Sequence, residues 1–103
     1  MLPLPPIGYE HIYQMYTVRV KDKITRNKLH EFLTKKRIFS KVYFSPIHLT
    51  DFYKEKYGFQ QNSLPVTEKV SDEVLTIPLY PNMDNEEKHY LVDSIQEFFE
   101  FMN

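Results

Sequence analysis

The side chains best suited to chemistry are four histidines, because the chain contains no cysteine. Without cysteine, thiol nucleophiles, disulfides and zinc–thiolate sites are excluded. No two histidines stand four residues apart, the spacing that places two metal ligands on one helix face. Glu86 and His89 form a single Glu-x-x-His, whereas carboxylate di-iron sites need two copies. We therefore predict no metal site. The four histidines are His11, His30, His48 and His89.

His48 is the histidine best placed for a functional role. It follows Pro46 in a predicted loop that leaves a strand, and binding residues often lie in such loops. An imidazole titrates near neutral pH, so it can act as an acid, a base or a hydrogen-bond donor. The residues alone favour the simpler interpretation, a partly buried histidine that hydrogen-bonds to the backbone.

A second candidate is the mixture of cations and aromatic rings between residues 35 and 44. Lys41, Tyr43 and Phe44 lie close together in this stretch, after a basic run at 35–37. Aromatic rings interleaved with cations can stack on nucleic-acid bases. The interpretation that we favour is an exposed helix end beside a core strand.

The composition is that of an ordinary globular domain. The chain has 103 residues, of which 42% are hydrophobic and 26% charged. Its two glycines are too few for a glycine-rich phosphate loop, and no serine lies in a nucleophile-elbow context. No stretch approaches the roughly 20 apolar residues of a transmembrane helix. We therefore predict no membrane partner, and the absence of cysteine fits a cytoplasmic protein.

Charge is divided unevenly between the two halves of the chain. Residues 1–50 hold nine Lys and Arg against three Asp and Glu, whereas residues 51–103 hold four against eleven. The balances are +6 and −7, so two oppositely charged surfaces are expected. A nucleic-acid-binding domain is usually basic overall, and this chain has a net charge of −1. We therefore predict no nucleic-acid partner, and salt-dependent retention on DNA would reopen that alternative.

Local signals predict the elements that position these residues. The stretch 12–20 is rich in β-branched and aromatic residues on both faces, which predicts a strand. Thr25 is a suitable N-cap for a helix to about residue 36, although Arg37 stands where a terminating glycine is usual. The other predicted elements are a strand over 38–44, a short helix over 51–57 ended by Gly58, a helix beginning at Pro65, a strand over 75–80 and a long helix with an Asp84–Glu87 capping box.

This order predicts an α+β fold: a small, mostly antiparallel three-stranded sheet with helices packed mainly on one face. Residues 1–11 are expected to form an extended arm or linker and residues 12–103 the domain. Because the first strand is apolar on both faces, we expect an uncovered apolar surface and a homodimer. The last helix carries an apolar stripe at 3.6-residue spacing, formed by Leu91, Val92, Ile95, Phe98, Phe99 and Met102.

Several segments of the chain carry a recognisable pattern. Residues 40–49 read Ser-Lys-Val-Tyr-Phe-Ser-Pro-Ile-His-Leu, and residues 75–81 read Leu-Thr-Ile-Pro-Leu-Tyr-Pro. With residues 8–20, 29–38 and 64–68, they resemble the C-terminal small domain of the DegT/DnrJ/EryC1/StrS family. These are PLP-dependent nucleotide-sugar aminotransferases that include perosamine synthase-like enzymes. The chain departs from the family pattern with Arg37-Ile38-Phe39, where Gly-Ile-Gly is usual, and with Lys41, where arginine is common.

The resemblance implies the small domain of a fold-type I PLP aminotransferase. In intact enzymes it implies amino transfer from glutamate to a keto-sugar nucleotide, in cell-surface polysaccharide biosynthesis. The PLP lysine of the family lies in a large domain N-terminal to this one, which this chain lacks. The resemblance therefore implies no catalytic, cofactor-binding or metal-binding residue here. The residues that it marks as substrate-side candidates are Lys41, Tyr43, Phe44 and His48.

Two readings of function follow from the resemblance. In the first, this chain is the C-terminal part of an aminotransferase, is inactive alone and pairs with a separately encoded PLP-binding large domain. In the second, it is a freestanding interaction or regulatory domain that kept the fold without catalysis. An upstream reading frame for the cofactor domain would favour the first reading.

Overall fold

Two short strands pair in the computed structural model, which describes residues 4–102. Strand β1 (Tyr16–Arg19) runs antiparallel to strand β2 (Val74–Ile77). Tyr16 lies opposite Ile77 and Arg19 opposite Val74. Within this ladder the hydroxyls of Thr17 and Thr76 are 2.8 Å apart. The antiparallel arrangement and the α+β class agree with the prediction.

The third strand, predicted over 38–44, does not form as a regular strand in the described residues. Only Lys41 pairs with β2, exchanging both backbone hydrogen bonds with Thr76 at 2.8 Å. The next ladder positions on that edge of β2 are Val74 and Pro78, and neither is available. Pro78 has no N–H. The Val74 N–H bonds to the Val70 carbonyl, and its carbonyl accepts from the Arg26 guanidinium.

Strand β1 is also shorter than the predicted strand over 12–20. Tyr13 has a φ of 48°, a left-handed conformation that an extended strand does not contain. The partner strand ends at Ile77, immediately before Pro78, so residues 12–15 have no strand to pair with. Ile12 is consequently exposed.

Helix α1 (Lys23–Lys35) begins earlier than predicted, because Asp22 and not Thr25 is its N-cap. Asp22 Oδ1 accepts from the Thr25 N–H at 2.7 Å, and this hydrogen bond lowers the pKa of the Asp22 carboxyl. At the other end, Arg37 adopts a left-handed φ of 60°. The Arg37 and Ile38 N–H groups bond back to Thr34 and Leu33, which is a Schellman motif with arginine at the usual glycine position.

The remaining helices follow the sequence signals closely. They are a 3₁₀ turn (Ile47–Leu49), α2 (Asp51–Tyr57), α3 (Pro65–Glu73) and α4 (Asn85–Met102). Gly58 ends α2 with a φ of 71°, and Pro65 opens α3. The predicted capping box is present: Asp84 and Glu87 exchange side-chain-to-backbone hydrogen bonds of 3.0 and 2.8 Å.

The core lies between one face of the sheet and helices α1 and α4. From α4, Leu91 and Phe98 are buried, whereas Val92 and Phe99 of the predicted stripe remain partly exposed. Val18 and Ile77 pack against the core from the sheet, as does Val20 just after β1. The buried apolar residues are Leu29, Leu33, Ile38, Leu75, Met83, Leu91 and Phe98.

Neither a membrane-spanning helix nor a metal-binding cluster occurs in residues 4–102. No helix there is long and apolar enough to cross a membrane. No group of three or more His, Asp and Glu side chains in that range could hold a metal ion.

Candidate functional site

The free edge of β2 carries the first part of the candidate site. Lys41 is fixed there by its backbone bonds to Thr76, and its ammonium lies 5.5 Å from the centre of the Tyr43 ring. Both side chains line a cavity of about 180 Å³. The other lining residues are Gln14, Met15, Tyr16, Phe39, Thr76, Ile77, Pro78 and Leu79. The cavity therefore combines apolar walls with one exposed cation.

Phe44 extends this site outward without lining the cavity. Its ring lies 5.0 Å from the Tyr43 ring and is exposed. The Phe44 carbonyl accepts a hydrogen bond of 2.9 Å from the Ser71 hydroxyl, which ties the segment to α3. Lys41, Tyr43 and Phe44 thus form one continuous surface, called the Lys41 surface below.

His48 lies apart from the cavity and points into the domain. It sits in the 3₁₀ turn with only 6% of its surface exposed, and its ring meets the edge of Phe59. Its Nε2 is 2.9 Å from Glu68 Oε1. One ring nitrogen of His48 is therefore already engaged within the domain.

Glu68 is the residue of this region that the sequence analysis did not single out. Its carboxylate contacts His48 and also accepts from the backbone N–H groups of Asn62 and Leu64, at 2.8 and 3.2 Å. The hydrogen bond with His48, followed by that from Asn62, lowers the pKa of the Glu68 carboxyl. Pro65 was the available signal, because it opens α3 and so places Glu68 in the first turn, where carboxylates bind free N–H groups.

The cavity beside Lys41 does not fit pyridoxal phosphate, the cofactor that the family resemblance implies. A PLP site needs a lysine for the Schiff base and an acidic or basic partner for the pyridinium nitrogen. The lining offers Lys41 but neither a carboxylate nor an arginine. We derive no chemical step through PLP from this chain, and the absence of a cofactor in it stays a prediction.

Sequence comparison finds relatives along nearly the whole chain. A model of the DegT/DnrJ/EryC1/StrS aminotransferase family matches residues 2–96. The pleiotropic regulatory protein of Geobacillus stearothermophilus is 32% identical over 93 residues, which are 89% of this chain and 24% of that protein. GDP-perosamine synthase of Escherichia coli O157:H7 is 29% identical over 89 residues, which are 86% of this chain and 23% of that protein.

Solved structures share the fold. The aminotransferase TlmJ from Streptoalloteichus hindustanus superposes with a TM-score of 0.84 at 22% identity, over 99% of this chain and 26% of that one. DesV of S. venezuelae, solved with a ketimine intermediate, gives a TM-score of 0.83 at 23% identity, over 94% of this chain and 25% of that one. This chain spans about a quarter of the length of the relatives that it matches.

Proposed function

Because this chain belongs to the DegT/DnrJ/EryC1/StrS aminotransferase family, we propose that it is the substrate-facing small domain of a sugar aminotransferase. The reaction is amino transfer from glutamate to a keto-sugar nucleotide. The observation that carries the proposal is the placement of Lys41 and Tyr43 together at one cavity on the edge of β2.

The chemistry of the Lys41 surface suits a nucleotide sugar. The Lys41 ammonium offers a point charge for a phosphate oxygen, without the planar fork of an arginine. The rings of Tyr43 and Phe44 offer flat apolar faces for a base or a sugar ring. An anionic substrate with a flat apolar part would therefore contact all three residues at once.

We assign His48 a positioning role within this proposal. Its Nε2 is occupied by Glu68, and the pair connects the 3₁₀ turn after the Lys41 surface to the start of α3. Direct donation from His48 to a substrate would have to use the other ring nitrogen. The side chain therefore acts through the loop that it holds.

The proposed assembly needs a second component. A separate chain would carry the PLP-binding large domain, and two copies of the small domain would pair as a homodimer in the cytoplasm. In this arrangement the chain is inactive alone. A freestanding interaction or regulatory domain is the reading that would replace this one if no nucleotide sugar binds.

Titration of the chain with GDP-mannose and UDP-glucose, followed by amide chemical shifts in NMR, tests the proposal. We expect saturable shifts in residues 39–44 and their loss in Lys41→Gln. Lys28→Gln is the matched control, since Lys28 is an exposed lysine of α1 outside the cavity. Shifts that are absent, or that Lys28→Gln weakens as much as Lys41→Gln, would contradict the proposal.

A further inference from the structure

A different cavity lies where helix α1 ends. It measures about 490 Å³, within the roughly 300–1,000 Å³ of small-molecule sites. Neither Lys41 nor Tyr43 lines it, and it shares only Phe39 with the cavity at the edge of β2. Its lining consists of His30, Thr34, Arg37, Ile38, Phe39 and Ser40.

Arg37 supplies an uncommitted cation to this cavity. Its neighbours Lys35 and Lys36 form ion pairs with Glu31 and Glu97. In residues 4–102, by contrast, Arg37 has no carboxylate within ion-pair distance. It also holds a left-handed φ of 60°, which glycine adopts at a lower steric cost. Helix termination therefore does not explain an arginine here, and such outliers are often found at ligand sites.

Another part of the lining is a hydrogen-bonded pair of side chains. His30 Nδ1 lies 2.8 Å from the Ser40 hydroxyl, and Ser40 is only 5% exposed. The Thr34 hydroxyl donates to the His30 carbonyl at 2.8 Å and so is already engaged. Within the described part of the chain, the second ring nitrogen of His30 makes no hydrogen bond. It is free to bond a ligand.

Phe39 gives the cavity an apolar wall. Its side chain is 81% exposed, although it follows the buried Ile38 directly. Glu87 lines a neighbouring cavity, which Arg37 and Phe39 also line. Glu87 is engaged there by the Asp84 N–H at 3.0 Å.

We propose that this cavity binds a small organic oxyanion, a phosphate or carboxylate attached to a flat apolar group. The Arg37 guanidinium takes two oxygens of the anion, the geometry that arginine offers and lysine does not. The His30–Ser40 pair supplies a further hydrogen bond, and the Phe39 ring covers the apolar part. The site goes beyond the proposed aminotransferase function and does not depend on it.

Calorimetric and NMR titrations with four probes test this site. Phenyl phosphate and benzoate carry both an anion and a ring, inorganic phosphate carries only the anion, and phenol carries only the ring. We expect saturable binding of phenyl phosphate or benzoate, with shifts in residues 37–40, at least tenfold tighter than that of inorganic phosphate or phenol. The tighter of the two ring anions identifies the oxyanion class.

Arg37→Gly is the decisive variant, because glycine suits the left-handed φ and so preserves the helix end. We expect at least a tenfold weaker affinity, which corresponds to about 1.4 kcal/mol. Lys28→Gln removes one positive charge from an exposed position of α1 outside this cavity, and it should change the affinity less than twofold. No saturable binding by either ring anion would overturn the proposal. So would an equal loss in Lys28→Gln, since that pattern indicates general charge attraction.

Discussion

At the scale of single residues, Glu68 shows how one carboxylate holds a loop. It contacts the buried His48 and two backbone N–H groups from residues 62 and 64. Those residues lie in the polar segment between α2 and α3, where Asn62 has a φ of 70°. The segment contributes no residue to the buried core, so the carboxylate restrains its path where core packing does not.

We expect stability to depend on the ionisation of Glu68. Its pKa in the folded state lies below the ordinary value of 4.5, chiefly through the hydrogen bond with His48. Its contribution is therefore complete above pH 4.5 and is lost as the pH falls through the lowered folded-state pKa. The difference in unfolding free energy between the parent and Glu68→Gln, from denaturant melts, should shrink from pH 7 to pH 3. Glu55→Gln, at an exposed site on α2, should show no such trend, and a difference that stays constant for Glu68→Gln would contradict the prediction.

Replacing Ser94 is expected to stabilise the fold, whereas replacing Glu68 is expected to destabilise it. Ser94 is 1% exposed, on the core side of α4, and its hydroxyl has no hydrogen-bond partner among residues 4–102. Removing an unsatisfied hydroxyl relieves a desolvation cost, and alanine has the higher helix propensity. We expect Ser94→Ala to raise the unfolding free energy by about 1 kcal/mol in denaturant melts. Ser71→Ala is the control and should lower the unfolding free energy, because it removes the hydrogen bond to the Phe44 carbonyl. A loss of stability in Ser94→Ala would contradict the prediction, since it would show that the Ser94 hydroxyl has a hydrogen-bond partner in solution.

At the scale of elements, the helices could be predicted and the sheet only in part. Helix ends are decided by local chemistry, and the signals at Gly58, Pro65 and Asp84 all proved correct. At α1 the N-cap is Asp22, whereas the predicted N-cap is Thr25. The error is one turn, because both side chains have the right chemistry.

The third strand could not be excluded from the sequence because its absence has a long-range cause. Whether 38–44 pairs fully with β2 depends on the backbone groups of Val74, which α3 and Arg26 occupy. Arg26 lies 48 residues away along the chain, so no local pattern reveals the competition. For the same reason the site was predicted in part: the Lys41 surface is contiguous in sequence, whereas the His48–Glu68 contact joins residues 20 apart.

Substitution of Phe98 tests whether its packing in the core holds α4 against α1. Its ring is 5% exposed and lies 5.5 Å from the Phe32 ring of α1. Phe98→Ala should cost about 3–5 kcal/mol in a denaturant melt, enough to unfold a marginal domain. Phe98→Leu keeps a measurable transition with a smaller loss. Phe101→Ala, at a site 80% exposed, should stay within about 0.5 kcal/mol of the parent, and a similar result for Phe98→Ala would contradict this packing.

At the scale of the whole molecule, the chain is more extended than an isolated domain of its size. Its radius of gyration is 16.0 Å, against about 13 Å for a compact chain of 100 residues. Apolar side chains are exposed both in the N-terminal arm, at Ile7, and just after it, at Ile12. A groove of about 470 Å³ also runs between the sheet and α4, past Val92 and Phe99. Such uncovered apolar surface is typical of a chain that packs against a partner.

We therefore expect the purified chain to self-associate. Sedimentation velocity at tens of micromolar, at low and moderate salt, should show a dimer. The dimer should dissociate more readily at moderate salt than at low salt. The two halves of the chain carry opposite charge, and salt screens the attraction between them. The double variant Ile7→Asp and Ile12→Asp should shift the chain towards monomer, and Lys28→Gln should not. A clean monomer of the parent chain under these conditions would show that the arm and groove need no second copy.

We propose above all that this chain serves as the substrate-facing domain of a sugar aminotransferase. Its most direct test is the amino-transfer rate of a fusion in which this chain replaces the matching quarter of GDP-perosamine synthase, assayed with glutamate and the keto-sugar nucleotide. We predict a rate well above that of the synthase lacking this quarter. Lys41→Gln in the fusion should slow the sugar half-reaction at least tenfold and leave the glutamate half-reaction unchanged, as expected for losing about 1.4 kcal/mol at the substrate phosphate. A folded fusion that transfers no amino group, or whose sugar half-reaction does not respond to Lys41→Gln, would contradict the claim.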